Sequence, residues 1–251
     1  MSMSSSKPTA LEALMTCLAL AMLATVAAAV GQPSLGASTT TTNLTLHNLC
    51  PYPVWPLVTA NAGVPSVPTD DDGDTFSRLD GHGEGLATLA FPAGAWSGRV
   101  VARTGCTSDD DDEYNSVALS LCATGDAPPV TVAQVSVGGP GGAAAYSVSL
   151  VDGFNVAMAV TPHGFAAEGR GGRCPTLGCA VDLAAECPAG ARCPRGGCGA
   201  GAAAAALFKA RCPDTRTNAT DVEATPQDCV APSEIKVVFC PAPDTVAGGH
   251  H

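Results

Sequence analysis

The sequence predicts a mainly β protein whose strands form a sandwich or barrel, with a smaller disulfide-rich part beside them. Short segments in which apolar residues alternate with polar or small ones recur along the chain, which is typical of half-buried strands. Turn clusters separate these segments, and the 251 residues include 28 Gly and 20 Pro. Seven of the twelve cysteines fall within residues 174–229, which indicates a region held by cross-links.

The alternation predicts one strand from Asn43, where Leu44 and Leu46 are apolar, and five more over residues 86–91, 98–103, 131–137, 146–160 and 235–239. The segment 146–160 is interrupted by Asp152-Gly153, two residue types that are rare in strands. Two interpretations stay open. The pair forms a plain turn or bulge, or the turn directs the Asp152 carboxylate at a ligand.

The N-terminus has the features of a secretory signal peptide over residues 1–29. A polar start with Lys7 precedes an apolar run over 14–30, which ends in small residues with a predicted cleavage site near Ala29. The alternative is a signal-anchor helix. Residues 30–41 are small and polar, so we expect a disordered leader there. We therefore expect a secreted protein that is not bound to a membrane.

Secretion determines how the cysteines are interpreted. Removal of Cys17 with the signal leaves eleven, an odd number, and an oxidising route favours disulfides over metal ligation. The segment 174–229 is expected to be a disulfide-rich subdomain without enough core to fold alone. It contains a possible short helix over 181–187 and an Ala-rich helix over 202–211 that ends before Pro213. Residues 243–251 are a C-terminal tail.

The formal net charge is −11, which argues against nucleic acid or anionic lipid as a partner. The acidic runs at 70–74 and 109–113 are interpreted as solvated loops rather than cation sites. Aromatic residues make up only 4% of the chain, so an extended platform for stacking sugars is not expected. Asn43 and Asn218 begin glycosylation sequons, and Asn218 is the better candidate because it lies in a predicted loop. We expect no metal and no cofactor.

Six motifs occur in order between about Thr42 and Pro241. They begin at Ala102 (Ala-Arg-Thr-Gly-Cys), Cys122 (Cys-Ala-Thr-Gly-Asp), Val151 (Val-Asp-Gly-Phe-Asn-Val), Cys179 (Cys-Ala-Val-Asp), Phe208 (Phe-Lys-Ala-Arg-Cys-Pro-Asp) and Val237 (Val-Val-Phe-Cys-Pro). Together they resemble thaumatin-like proteins, the secreted plant defence proteins of pathogenesis-related group five.

The resemblance implies a flattened β-sandwich with a smaller disulfide-rich loop and helix subdomain, spanning residues 42–242. Residues 42–173 and 230–242 would form the sandwich and 174–229 the subdomain. It also implies location in the apoplast or cell wall.

The resemblance further implies a set of disulfides. The implied pairs are Cys50–Cys240, Cys106–Cys122, Cys174–Cys229, Cys179–Cys212 and Cys187–Cys198. Cys193 is left as a free thiol, or as the link of a disulfide-bonded dimer of an otherwise monomeric protein. Most large family members have more bridges than this chain can form. We therefore expect the subdomain here to be reduced in size.

The family has a cleft lined by one Arg, one Glu and three Asp. By position Arg103, Asp152 and Asp182 match three of these residues, whereas Gln134 replaces the Glu and Ser147 replaces the first Asp. We expect Arg103 to lie beside Asp152, either as part of the cleft or as the partner of a structural turn.

Hydrolysis of a glycosidic bond requires two carboxyl groups in different protonation states. Since two of the four acids are lost, the resemblance implies a non-enzymatic defence protein that binds a cell-wall carbohydrate such as β-1,3-glucan. Two alternatives stay open: a weak endo-β-1,3-glucanase, and an inhibitor or interaction protein that acts on a foreign hydrolase.

Overall fold

The fold is described from a computed structural model for residues 41–67, 78–107, 122–164, 174–221 and 229–247, all of which belong to one compact unit. The predicted signal peptide, the leader up to residue 40 and both acidic runs lie outside these ranges. Within them, no helix is long and apolar enough to cross a membrane.

The mainly β class is confirmed. In the described ranges the strands form a five-stranded and a four-stranded sheet. In chain order they are β1 (Asn43–Asn48), β2 (Trp55–Ala60), β3 (Gly85–Ala90), β4 (Trp96–Arg103), β5 (Val132–Val137), β6 (Ala145–Ser149), β7 (Met158–His163), β8 (Leu177–Cys179) and β9 (Glu234–Phe239).

The five-stranded sheet has the order β3-β1-β9-β7-β8 and the four-stranded sheet the order β2-β4-β5-β6. All pairs are antiparallel except β1 with β9, which run parallel. The β1–β9 pair brings the first and last strands together at the middle of their sheet. The cystine Cys50–Cys240 joins the chain just beyond the ends of these two strands.

The two sheets enclose one core, because residues from both belong to the same buried cluster. Leu46 and Val237 come from the larger sheet, and Val100 and Val148 from the smaller one; all four are fully buried. Each lies between outward-facing neighbours in its strand, so the alternation seen in the sequence corresponds to the inner and outer faces of the sheets. Burial of these side chains is the main stabilisation of the sandwich.

The structure differs from the predicted strands in three places. Strands β2 and β8 were not predicted, and β2 contains Pro56, which an edge strand tolerates. The strand expected to resume at Phe154 begins only at Met158, and Phe154 pairs instead with Cys198 of the disulfide-rich region. The short β8 lies within 174–229 yet pairs with β7 of the sandwich.

A second core lies where the disulfide-rich region meets the sandwich. Leu150 and Phe154 pack there with Leu183, Phe208 and the buried cysteines of the region. Part of this core therefore comes from the sandwich, which supplies Leu150 and Phe154. This region contains helices α1 (Leu183–Glu186) and α2 (Ala202–Arg211), and a further short helix α3 (Asp244–Ala247) lies in the predicted tail.

Helix α2 has the predicted bounds, whereas α1 is shorter than the predicted 181–187. Asp182 caps the N-terminus of α1, since its Oδ1 accepts a hydrogen bond from the Ala184 N–H at 3.1 Å. Cys187 then leaves the helical conformation before Pro188.

The cysteines of the described ranges form five disulfides, which are the pairs implied by the resemblance. They are Cys50–Cys240, Cys106–Cys122, Cys174–Cys229, Cys179–Cys212 and Cys187–Cys198. Among the described cysteines, Cys193 is free and half-buried.

Candidate functional site

A row of polar side chains crosses the outer face of the four-stranded sheet. Thr59 of β2 pairs with Arg99 of β4, Arg99 with Gln134 of β5, and Gln134 with Ser147 of β6. Directly opposed residues of antiparallel strands project from the same face. The four residues, which we call the polar row, are therefore neighbours in one line that spans about 14 Å, three strand spacings of ~4.8 Å.

The polar row lies along a groove of about 580 Å³, within the range of ligand-binding sites in proteins. Asn61, Ser97 and Ser136 add hydroxyl and amide groups at its border, and the Asn61 side chain donates to Ser97 Oγ at 3.0 Å. Among the described residues that line the groove there is neither Asp nor Glu. The groove therefore combines neutral hydrogen-bonding groups with one guanidinium.

Arg99 was missed by the sequence analysis. Its side chain is exposed in the groove, opposite Gln134, at the place where Arg103 was expected. Both arginines project from the outer face of β4, but they are four residues, about 13 Å, apart along the strand. The outward position of Arg99 could be read from the alternation Gly98-Arg99-Val100, whereas its partner depended on the register of β4 with β5.

Arg103 lies outside the groove lining. Its Nε donates to the carbonyl oxygen of Trp55 at 3.2 Å, and its Nη1 lies 4.0 Å from Asp126 Oδ1. Only 19% of the Arg103 side chain is exposed. Arg103 therefore pairs with Asp126 rather than with the expected Asp152, and it joins the end of β4 to the start of β2 and to the loop that contains Asp126.

The Asp152-Gly153 pair forms a tight turn that docks the disulfide-rich region. The Gly153 N–H donates to the Leu150 carbonyl at 3.0 Å, and Gly153 has a φ of 96°, which favours glycine. A Cβ atom at Gly153 would lie 2.6 Å from the Cys198 carbonyl oxygen. Phe154 and Cys198 exchange two backbone hydrogen bonds next to this contact. The position thus needs glycine for packing.

Asp152 itself is exposed and does not line the groove. Its carbonyl accepts a hydrogen bond from the Val130 N–H at 3.2 Å. Asn155 supports the same turn, because its Nδ2 donates to the Ala102 carbonyl at 2.7 Å and its Oδ1 accepts from the Thr131 N–H at 2.9 Å. Of the two interpretations of Asp152-Gly153, the geometry favours the structural turn.

Asp182 also lies outside the groove lining, in the cap of α1. Burial raises the pKa of the Tyr52 hydroxyl above its ordinary value, and the negative charge of Asp182 adds a smaller increase in the same direction. The Tyr52 hydroxyl in turn lies 3.8 Å from Cys240 Sγ. Of the five predicted site residues, Gln134 and Ser147 line the groove; Gln134 is exposed there, whereas Ser147 is only 2% exposed.

Cys193 lines a second cavity of about 460 Å³ between the segments 122–129 and 193–196. Its Sγ lies 3.8 Å from the Ala191 carbonyl oxygen. Within the described ranges, no cluster of three or more His, Cys, Asp or Glu side chains has the arrangement of a metal site. Neither cavity is thus associated with a set of metal ligands.

The two sequons differ in their surroundings. Asn43 opens β1 and is half-buried, and its sequon residue Thr45 is buried and hydrogen-bonded to Thr88. Asn218 is exposed, and its Oδ1 accepts from the N–H of Thr220 at 2.9 Å and from its hydroxyl at 2.7 Å. Glycosylation of Asn218 stays a prediction.

Comparison with known proteins places the chain in a family. Residues 48–205 match the Thaumatin family. An osmotin-like protein of Solanum lycopersicum is 40% identical over 159 residues, which cover 58% of this chain and 56% of that protein. Pathogenesis-related protein 5 of Arabidopsis thaliana is 39% identical over 157 residues, covering 61% and 60%.

A third relative is named glucan endo-1,3-beta-glucosidase and comes from Prunus avium. It is 34% identical over 154 residues, which cover 58% of this chain and 57% of that protein. A solved structure of a thaumatin-like xylanase inhibitor aligns with 79% of this chain and 99% of its own, with a TM-score of 0.43 and 22% identity.

The matched region spans less than two thirds of the length of each of these curated relatives. It nevertheless covers more than half of this chain, and it includes β4, β5, β6 and the groove they form. The chain therefore belongs to the thaumatin family.

Proposed function

We propose that this protein is a secreted defence-type thaumatin-like protein that binds a cell-wall carbohydrate, such as β-1,3-glucan, without cleaving it. The observation that carries the proposal is the chemistry of the groove. Its described lining offers hydroxyl, amide and guanidinium groups, and no carboxyl group.

The missing carboxyl groups argue against hydrolysis. A glycosidase needs one carboxyl group as the acid and a second as the base or nucleophile. Gln134 and Ser147 have no proton to transfer at ordinary pH, and both stand in the polar row. Asp182 is engaged as a helix cap, and Asp152 lies in a turn outside the lining. The described lining of the groove thus lacks the two groups that the reaction needs.

Carbohydrate binding, unlike hydrolysis, requires hydrogen-bonding groups but no pair of carboxyl groups. Amide and hydroxyl side chains both donate and accept hydrogen bonds, so they match the hydroxyl groups of a sugar chain. The hydrogen bonds of a regular sheet fix the backbone positions from which the side chains of the row project. The polar row, about 14 Å long from strand spacing, can contact a short stretch of polysaccharide.

Two alternatives remain candidates. A weak endo-β-1,3-glucanase is favoured by the name of the Prunus avium relative. An inhibitor of a foreign hydrolase would use the surface around the groove to contact a protein. An inhibition panel of xylanases and amylases, run with the glucan-binding assay, separates this role from carbohydrate binding.

The proposal is tested by co-sedimentation with insoluble β-1,3-glucan. Wild-type protein is expected to sediment with the glucan. Gln134→Leu, which removes the amide but keeps the size of the side chain, is expected to reduce the fraction of protein that sediments. Thr88→Val is a matched control, because Thr88 is an exposed strand residue in the other sheet. Unchanged sedimentation of Gln134→Leu, or loss in both variants, would count against the groove.

Reducing-sugar release from laminarin tests the enzymatic alternative on the same samples. We expect no release by the wild-type protein. Release that Asp152→Asn abolishes would establish the glucanase and overturn the non-enzymatic proposal.

A further inference from the structure

We propose that the groove selects acidic oligosaccharides, with Arg99 binding the carboxylate of a uronic acid unit. This inference rests on the proposed function, because it names the ligand class of the same groove. It differs from neutral glucan binding in giving one charged side chain the decisive role.

Arg99 is a cation without a carboxylate partner in the described part of the chain. Its cross-strand neighbours Thr59 and Gln134 are both neutral. Three other arginines of the same ranges are paired with a carboxylate, namely Arg78 with Asp80 at 2.9 Å, Arg103 with Asp126 at 4.0 Å and Arg211 with Glu186 at 2.7 Å. Arg192 and Arg216 donate to backbone carbonyl groups instead. What distinguishes Arg99 is its place in a groove whose described lining has no acidic residue, in a chain with 12 basic and 23 acidic residues.

The guanidinium group fits a carboxylate better than it fits a hydroxyl. Its planar fork donates two parallel hydrogen bonds to the two carboxylate oxygens, and charge assistance makes each stronger than a neutral bond. A uronic acid carries its carboxylate on a ring whose remaining hydroxyls can bind the amide and hydroxyl groups beside Arg99. The polar row therefore offers both parts of the recognition, the charge at Arg99 and neutral contacts at Gln134 and Thr59.

The replacement of the family's Glu by Gln134 leaves Arg99 without a carboxylate opposite it. A carboxylate at position 134 would lie directly opposite the guanidinium and would neutralise it, as opposite charges in cross-strand pairs do. With Gln there, the charge of Arg99 is free to attract a ligand. The overall charge of −11 opposes anionic ligands at a distance, but this field is screened beyond about 8 Å at physiological salt. Contacts within the groove then decide the selectivity.

The test compares ligands that differ only in charge. Isothermal titration calorimetry measures the binding of an oligogalacturonide, its fully methyl-esterified form and a neutral laminari-oligosaccharide to the mature protein. We expect the free acid to bind about tenfold more tightly than the ester, the change of one charge-assisted contact. A glucuronate-bearing xylo-oligosaccharide shows whether the uronate is recognised in galacturonan, in xylan or in both.

Two variants assign the effect to Arg99. Arg99→Gln is expected to reduce the preference for the acid over the ester to about onefold, and Arg99→Lys, which keeps the charge but loses the fork, to an intermediate value. Arg195→Gln makes the same change in net charge at an exposed position that does not line the groove, and it should keep the preference. Thermal melting of each variant checks that the fold is retained.

The outcomes separate this inference from the proposed function. Equal binding of acid and ester by the wild-type protein, or an equal loss in Arg99→Gln and Arg195→Gln, would overturn the role of Arg99. If laminari-oligosaccharide still binds in those cases and Gln134→Leu weakens it, carbohydrate binding stands. If none of the saccharides binds, both proposals fail.

Discussion

Arg99 and Gln134 are directly opposed residues of β4 and β5, on the outer face of the smaller sheet. The structure thus places a cation beside a neutral amide in the middle of the polar row. The pair supplies the charged side chain in the described lining of the groove, and both proposals depend on it. A substitution at either position therefore changes the interaction of one defined pair of side chains.

Gln134→Glu is expected to create an ion pair with Arg99 and to raise the free energy of unfolding by about 0.2–1 kcal/mol, the range of cross-strand charge pairs. Urea denaturation measures this gain. In an Arg99→Gln background the same substitution should give no gain, which is the control for the pair. No hydrolysis of laminarin is expected, because one carboxylate held ionised by an arginine cannot supply the acid.

Gly153→Ala is expected to lower the free energy of unfolding by roughly 2–5 kcal/mol, from a left-handed conformation and a steric overlap with the Cys198 carbonyl. Gly141→Ala is the matched control, because Gly141 has a φ of 70° and no atom within 4 Å of an added Cβ. It should cost only about 1–2 kcal/mol. Equal costs in urea denaturation would show that the contact between turn and disulfide-rich region is unimportant.

Removal of the Cys50–Cys240 bridge by a double Ala substitution is expected to cost more than removal of Cys187–Cys198. The bridges span 190 and 11 residues, and loop-closure entropy gives about 5 and about 3 kcal/mol. The measurement is the difference in free energy of unfolding between the two variants. This comparison is used because each variant also loses packing, since three of these four cysteines are fully or almost fully buried. Equal losses would contradict the entropic explanation.

Asp221→Asn is expected to remove a pH dependence of stability. Hydrogen bonds from the Thr217 hydroxyl and N–H, aided by Lys209, lower the pKa of Asp221 to about 2. Because the unfolded value is about 3.9, this carboxylate stabilises the fold above pH ~4, and the contribution is lost as the pH falls towards 2. Wild type and variant should differ in urea midpoint at pH 6 and converge near pH 2. A constant difference at both pH values would refute the assignment.

With the predicted signal peptide and its Cys17 removed, the unreduced protein is expected to contain one titratable thiol per chain, that of Cys193, or to migrate partly as a disulfide-linked dimer. Cys193→Ser should abolish both signals and leave the melting temperature unchanged. Mass mapping that finds Cys193 bridged to Cys187 or Cys198 would contradict the bridge pattern of the structure.

The strands β1, β4, β5 and β9 and the helix α2 were predictable from the sequence, because they depend on local patterns. Alternating apolar side chains in a strand, and an Ala-rich run that ends before proline, depend only on residues close together in the sequence. The cysteine-rich region was visible for the same reason. Strand β2, which contains a proline, and the short β8 were not predicted. Their own sequences have no strand pattern, and they are strands because they pair with β4 and β7.

The tertiary structure alone decided which side chains share the groove. Arg99 and Arg103 both project outward from β4, and only the register with β5 places Arg99, not Arg103, opposite Gln134. In the same way, only the contact with Cys198 explains why a turn with Gly153 interrupts the alternation. Register and docking join residues far apart in the chain, so short-range patterns determine the elements but not the neighbours of each side chain.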